Sequence, residues 1–352
     1  MDITPHLKLM VEKDASDIFF TVGSTVRIKA SGKVISVGKT ILTAETTQAI
    51  ADNMMNEDQR AYFEKELELD FAITLPETDA RFRVNAFRQQ GQVSIVMRYV
   101  KSKVPTLDDL KLPGILKELI MRKRGLILMV GATNSGKSTT LAAMINHRNE
   151  HQAGHILTIE DPIEFVHPHQ KSLVNQRELE VDTHSYLRAL RSAMRESPDV
   201  ILIGEIRDQE TMAAALELSN TGHLALSTLH ANNAYQAMQR VINMFSQEQH
   251  KQLYMDLSLN LVSIISQRLV HSVDNKRAAA VEVMINTPYI ADLILKGKID
   301  EIKEAMANSG AEGMQTFDMA LMNLYQEGRV ALEDALASAD SRTNLQAKMT
   351  FG

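Results

Sequence analysis

The residues best suited to chemistry form a glycine-rich loop near the middle of the chain. Residues 131–138 fit the pattern G-x-x-x-x-G-K-[ST], between an apolar, strand-like stretch at 126–130 and a helical pattern at 139–147. In such a loop the backbone N–H groups and the positive end of the following helix bind phosphate oxygens. Lys137 can reach the β- and γ-phosphates, and the Ser138 hydroxyl can join a magnesium shell. The sequence therefore predicts a site for ATP and Mg²⁺.

Nine consecutive residues are expected to contact the nucleotide: Gly131, Ala132, Thr133, Asn134, Ser135, Gly136, Lys137, Ser138 and Thr139. The alternative is a glycine-rich turn that joins a strand to a helix by chance. The alternative is disfavoured because strand, loop and helix stand in the register that phosphate binding requires.

A second apolar stretch ends in a carboxylate. Residues 200–203 are aliphatic and are followed by Gly204 and Glu205. In a P-loop protein, an acid at the carboxyl end of a buried strand faces the magnesium ion of the nucleotide. Glu205 is therefore the candidate for the magnesium shell, together with Ser138. Without the P-loop, the same acid would be read as a surface or capping residue.

Three acids follow another strand-like stretch, residues 156–159. Glu160, Asp161 and Glu164 lie where ligands bind in open α/β sheets, at the carboxyl end of a strand. One of them could orient or deprotonate the attacking water. The alternative is a solvated turn.

A histidine follows the strand-like residues 224–228. His230 could sense the γ-phosphate, or it could simply pack or cap a helix. A zinc site is disfavoured, because cysteine is absent and no third ligand stands at a suitable spacing.

A stretch without acids lies near residue 100. Between Arg81 and Leu107 the basic residues are Arg81, Arg83, Arg88, Arg98, Lys101 and Lys103, with no Asp or Glu. Residues 81–87 alternate as in a strand, which predicts Arg81 and Arg83 on one face and Phe82, Val84 and Ala86 on the other. The guanidinium fork suits phosphate, although a solvated sheet face is the alternative. The P-loop motifs show no obvious second cation for the phosphates, so this stretch is expected to supply one.

The elements around these motifs predict an α/β protein with two domains. From residue 114, strand-like runs, the last of them at 279–285, alternate with helical patterns, which is typical of a parallel sheet with crossover helices. Residues 1–100 read as a smaller mixed α/β domain, and 101–113, with two prolines, as a linker. Residues 114–352 form the P-loop domain, with a helical C-terminal part.

Composition excludes several classes of protein. The net charge of −6 argues against a general nucleic-acid coat, and the absence of cysteine excludes disulfides and thiolate zinc sites. No apolar run reaches the 18 or so residues of a membrane span. The first residues lack a secretory pattern, so a cytoplasmic or peripheral location is expected.

Taken together, the motifs resemble those of the type IV pilus retraction ATPases, the PilT and PilU proteins of the secretion-motor ATPase superfamily. The resemblance runs nearly end to end. It implies a RecA-like ATPase domain with an N-terminal PAS-like domain, and six subunits in a ring with ATP in the domain clefts. Four stretches carry it: residues 131–139, 159–165, 190–208 and 222–232.

The resemblance also implies a role for each site residue. Glu164 would be the catalytic glutamate, Glu205 the Walker B acid and His230 a γ-phosphate sensor. Arginines of the N-terminal domain would reach the phosphates, with Arg83 and Arg98 the best candidates. The implied partners are a homo-hexamer, the inner-membrane platform protein of the pilus and a paralogous retraction ATPase, with no nucleic acid. The implied location is cytoplasmic, at the periphery of the inner membrane.

The chain departs from the family pattern in a few places. Ala132 and Asn134 replace a proline and a glycine of the loop, and Ser197 stands where aspartate is usual. Asn134 is expected to favour a slightly different loop backbone, since glycine is freer in φ. Residues 289–298 lack both arginines of the corresponding PilT segment, which makes the accessory PilU branch the nearer match.

The sequence leaves three alternative functions. A pilus extension or type II secretion ATPase would typically carry a tetracysteine zinc element and a longer N-terminal part. A RecA-like nucleic-acid motor is disfavoured by the acidic net charge. A ring subunit that only binds ATP is disfavoured because Lys137, Ser138, Glu164 and Glu205 are all present.

Overall fold

The computed structural model describes residues 2–30, 32–75, 80–100 and 103–351. The chain divides into two units, Met1–Lys103 with Glu164–Val166, and Val104–Ile163 with His167–Gly352. Two residues of the expected linker, 101 and 102, lie outside the described residues. No helix among the described residues is long and apolar enough to cross a bilayer.

Over its described residues, the first unit forms a six-stranded antiparallel sheet and three helices. The strands run in the order β3-β2-β1-β6-β5-β4. The elements are α1 (Thr4–Glu12), β1 (Asp17–Phe20), β2 (Thr25–Ala30), β3 (Lys33–Ile41), α2 (Ala44–Met54), α3 (Glu57–Glu66), β4 (Glu68–Leu75), β5 (Ala80–Gln89) and β6 (Gln92–Val100).

The alternation of β5 decides which of its side chains reach solvent. Phe82, Val84 and Ala86 are buried in the core of the first unit, whereas Arg81 and Arg83 are half-buried on the opposite face. The sequence predicted this division, because residues i and i+2 of a strand share a face. The arginines therefore project away from the apolar core.

The second unit is built on a seven-stranded sheet in the order β13-β12-β7-β11-β10-β8-β9. Its strands are β7 (Gly125–Val130), β8 (Gly154–Glu160), β9 (Ser172–Glu178), β10 (Val200–Glu205), β11 (Leu224–Leu229), β12 (Leu261–His271) and β13 (Arg277–Ile285). Its helices are α4 (Ile115–Ile120), α5 (Lys137–His151), α6 (Tyr186–Ala193), α7 (Gln209–Asn220), α8 (Ala234–Asn243), α9 (His250–Asn260), α10 (Pro288–Leu295), α11 (Ile302–Ala307), α12 (Phe317–Gln326), α13 (Leu332–Ser338) and α14 (Arg342–Phe351).

Strand β7 lies in the middle of this sheet and is buried on both faces. Leu126, Leu128 and Val130 pack into one apolar cluster, and Ile127 and Met129 into another. A continuous apolar run is what a parallel strand covered by helices on both sides requires. Both layers of helices thus hold the strand that leads into the glycine-rich loop.

The parallel strands bring the candidate motifs to one edge of the sheet. Neighbours β7, β11, β10 and β8 are all parallel, so their carboxyl ends lie side by side. The glycine-rich loop follows β7, His230 follows β11, and Glu205 ends β10. Ligands of open α/β sheets bind at this edge.

One expectation about the sheet is wrong. Residues 279–285 were expected to add a parallel strand, but β13 pairs antiparallel with β12 as a hairpin. The sequence did not predict β12, because polar residues interrupt its apolar run. Ser263, Ser266 and Gln267 are nevertheless buried there, with hydrogen-bond partners for their side chains.

Candidate active site

The loop after β7 has a backbone that few residues could adopt. Gly131 and Gly136 have φ angles of 153° and 87°, and Asn134 has φ of 63°. Asparagine enters this left-handed region more readily than most other side chains do, so Asn134 can stand where the family usually has glycine. The loop delivers the chain to α5, whose first residue is Lys137.

The Lys137 ammonium is folded back onto the loop. Its Nζ donates to the carbonyl oxygens of Gly131 and Ala132, at 2.9 Å each, and only 9 % of the residue is exposed. Burial lowers the pKa of this amine, while nearby Glu205 opposes that shift. A buried cation whose hydrogen bonds go to two neutral carbonyls would gain from an anionic partner such as a phosphate.

Other atoms of the loop also fit a phosphate. The Ser135 Oγ is buried without a hydrogen-bond partner. Ser138 is exposed in the first turn of α5, where the helix dipole is positive. Among the described residues, no group of three or more His, Asp or Glu could hold a metal by itself. Magnesium at nucleotide sites takes one or two carboxylates plus phosphates, so Ser138 and Glu205 suit it.

Glu205 lies in a small polar cluster at the end of β10. Its Oε2 accepts from Nε and Nη2 of Arg207 at 2.7 Å, and its Oε1 lies 3.2 Å from Nε2 of His230. The structure therefore brings two predicted residues, Glu205 and His230, into contact. Arg207, from the same motif as Glu205, adds a cation to this cluster.

A bulge in β10 sets the direction of Glu205. The pairing with β11 shifts register between Ile203 and Glu205, and the Gly204 carbonyl accepts from Thr228 Oγ1 at 2.6 Å. A Cβ on Gly204 would lie 2.5 Å from the Tyr186 hydroxyl oxygen. Bulges beside active sites redirect side chains, and this one needs glycine so that Tyr186 can pack over it. Sequence reasoning missed Tyr186, since a half-buried aromatic on a helix carries no functional signal by itself.

The three acids after β8 have different surroundings. Glu160 Oε1 accepts from Thr158 Oγ1 at 2.6 Å and from Gln176 Nε2 at 3.1 Å, so it is committed to its sheet neighbours. Asp161 and Glu164 are exposed. Glu164 belongs with the first unit, so its catalytic role stays a prediction.

Two arginines of the basic stretch form ion pairs with acidic residues from elsewhere in the first unit. Arg98 Nε donates to the buried carboxylate of Asp17 at 2.8 Å, with 65 % of the arginine side chain exposed. Arg88 pairs with Glu64 at 2.7 Å. Arg83 lies opposite Arg98 in the sheet and has no ion-pair partner among the residues that the structure describes. Arg83 is therefore a better candidate than Arg98 for an incoming anion.

Two cavities border the glycine-rich loop. One, of about 800 Å³, contacts residues 132–135 of the loop and is lined by Arg268, Arg277 and Lys303. The other, of about 480 Å³, lies between Gly131 and His230. Both volumes fall within the range of small-molecule sites. Asp340 also lines the first cavity and pairs there with Arg268 and Lys303.

The site combines a glycine-rich loop after β7, a buried lysine at the start of α5 and a carboxylate at the end of β10. This combination defines a P-loop ATPase. The chain belongs to the family described as Type II/IV secretion system protein, which matches residues 1–344.

Relatives across the whole chain support this assignment. The Type IV pilus ATPase PilU of Pseudomonas aeruginosa is 50 % identical over all of this chain and 92 % of its own length. The Type IV pilus retraction ATPase PilT of the same organism is 43 % identical over 96 % of this chain and 98 % of its own. The greater similarity to PilU agrees with the expectation drawn from residues 289–298.

A solved structure of similar fold carries a nucleotide. The pilus retraction motor PilT with bound ADP gives a TM-score of 0.91 at 38 % identity, over 98 % of this chain and 99 % of that one. The expected α/β fold, the ATPase activity and the resemblance to pilus retraction ATPases are confirmed.

Proposed function

We propose that the chain is a motor of type IV pilus retraction, of the accessory PilU kind, driven by ATP hydrolysis. The observation that carries this is the P-loop and Glu205 cluster in a chain that is 50 % identical, over its full length, to a pilus ATPase. Twitching motility is the cell behaviour that such a motor would power.

The site suggests how hydrolysis proceeds. The loop amides and Lys137 would bind the β- and γ-phosphates. Ser138 and Glu205 would hold Mg²⁺, which would neutralise charge on the phosphate oxygens. Glu164 would orient or deprotonate the attacking water, and His230, next to Glu205, would respond to the γ-phosphate.

The assembly is part of the proposal. A PAS-like first domain (residues 1–100), a linker (101–113) and the ATPase domain (114–352) would repeat in a ring of six subunits. Arg83, with Arg98 beside it, would reach the phosphates of its own or a neighbouring subunit. The ring would work at the cytoplasmic face of the inner membrane, on the platform protein of the pilus and beside a paralogous retraction ATPase.

Two glutamate variants test the enzymatic part of this function. Glu164→Gln should bind MgATP normally but hydrolyse it about 10²-fold more slowly, because the amide cannot accept a proton from water. Glu205→Ala should also raise the Mg²⁺ concentration needed for half-maximal turnover. Phosphate release measured across a magnesium titration separates the two effects.

Glu160→Gln is the matched control for the first variant. The Glu160 carboxylate already accepts two hydrogen bonds within its sheet, so hydrolysis should fall much less than in Glu164→Gln. Near-normal turnover in Glu164→Gln would return the catalytic role to Glu205. Retraction is distinguished from pilus extension by the number of surface pili that remain when the gene is deleted.

A further inference from the structure

The glycine-rich loop is held by a side chain that lies far away in the sequence. Gln267 of β12 is only 2 % exposed. Its Nε2 donates to the Ser135 carbonyl at 2.8 Å, and its Oε1 accepts from the Thr140 hydroxyl at 2.8 Å. One end of the amide is therefore used on the loop, and the other on the helix that follows the loop.

Both glycines of the loop signature face the same residue. A Cβ on Gly131 would lie 2.6 Å from the backbone carbonyl oxygen of Gln267, and a Cβ on Gly136 would lie 2.7 Å from its side-chain Nε2. Either contact would force a shift of the loop or of Gln267. Glycine permits such close approach of one backbone to another group. The loop is thus folded tightly against Gln267.

The neighbours of Gln267 fix its position on β12. On one side, the Ser266 hydroxyl donates to the buried carboxylate of Glu282 at 3.0 Å. On the other, Arg268 pairs with Asp340 at 2.7 Å, and its guanidinium lies 3.8 Å from the centre of the Phe317 ring. These contacts anchor the strand on both sides of the glutamine, so its amide is presented to the loop by a rigid support.

We propose that Gln267 is a positioning residue of the nucleotide site, which keeps the loop in the shape that binds phosphate; the inference rests on the ATP site proposed above. Loop amides bind phosphate only when they point inward together, and a loop with two glycines has many other conformations available. A buried amide that fixes the Ser135 carbonyl removes that freedom before the nucleotide arrives. Pre-organisation of this kind increases affinity because less ordering remains to be done on binding.

Gln267→Met tests the proposal. The methionine has a similar length, but it can neither donate to the Ser135 carbonyl nor accept from Thr140. We expect the dissociation constants of ADP and ATP to rise about tenfold, equivalent to about 1.4 kcal/mol, and KM to rise more than kcat falls. ADP binding is measured by calorimetry, so the readout does not depend on turnover.

A matched control separates positioning from general support of the fold. Gln315 donates to the Val281 carbonyl at 2.7 Å in the same unit, and it lines neither cavity at the loop. Gln315→Met should lower the melting temperature while leaving ADP affinity unchanged. ADP affinity of Gln267→Met within twofold of the wild type, with a lower melting temperature, would overturn the proposal.

Two further variants keep the test decisive. If Gln267→Met does not fold, Thr140→Val takes its place, because this change removes the hydrogen bond from Thr140 to Gln267 Oε1. We expect this variant to bind ADP about threefold more weakly than the wild type. Wild-type ADP affinity in Thr140→Val would overturn the proposal. Lys137→Ala tests the site itself. Unchanged ADP affinity in Lys137→Ala would overturn the nucleotide site. Weakened affinity in Lys137→Ala together with normal affinity in Gln267→Met would overturn only the role of Gln267.

Discussion

Lys137→Ala should abolish ATP turnover and weaken nucleotide binding. The substitution removes a buried cation whose Nζ donates to two loop carbonyls at 2.9 Å, and it leaves the phosphates without that charge. Loss of one pre-organised donor at a reacting centre costs about 10²–10³ in rate, and loss of a full charge should exceed that. Phosphate release should therefore fall by at least about 10³-fold.

The matched control is Lys251→Ala, which removes an exposed lysine from α9 in the same unit. It should retain wild-type turnover and ADP affinity. Hydrolysis at the wild-type rate by Lys137→Ala would show that the P-loop is not the site of chemistry.

The second large effect concerns Arg83 and the ring. An arginine that stabilises the charge of the transition state contributes about 10³–10⁵ in rate. If Arg83 does so at a cleft shared with a neighbour, Arg83→Ala should lose turnover by about 10³-fold. It should still bind ADP, because Lys137 continues to anchor the phosphates. Arg98→Ala should also lose turnover, but less, since Arg98 is already paired with Asp17.

Assembly gives the second arm of this test. Turnover per subunit should rise with protein concentration as the ring forms. The matched control for Arg83→Ala is Arg27→Ala, at an exposed position on β2, which should show wild-type turnover. A different result would remove the basis for a ring motor: the protein would be monomeric, its turnover would not depend on concentration, and loss of Arg83 and Arg98 would not affect that turnover.

What the sequence could predict was local. The glycine-rich loop, its flanking strand and helix, and Glu205 at the end of β10 are each specified by a few consecutive residues. The period of two in β5 likewise predicted which face carries Arg81 and Arg83. Such features follow from local backbone geometry, so a single amino-acid sequence is enough to predict them.

What the sequence could not predict depends on pairing between distant residues. Gln267 meets Ser135 across 132 positions, and Asp17 neutralises Arg98 across 81. Strand β12 was hidden because its polar side chains find partners only in the folded sheet. The contact of Tyr186 with Gly204 was hidden for the same reason. Long-range contacts of this kind fix the orientation of the site residues, while local sequence supplies their chemistry.

The most direct test of the central claim is a count of surface pili in cells. The gene is deleted in the organism that encodes it, and the deletion strain is complemented with the wild type or with Lys137→Ala. We predict more surface pili and reduced twitching in the deletion strain, with recovery by the wild type and none by Lys137→Ala. Loss of all surface pili would instead identify an extension motor. An unchanged number of pili together with unchanged twitching would contradict a role in retraction.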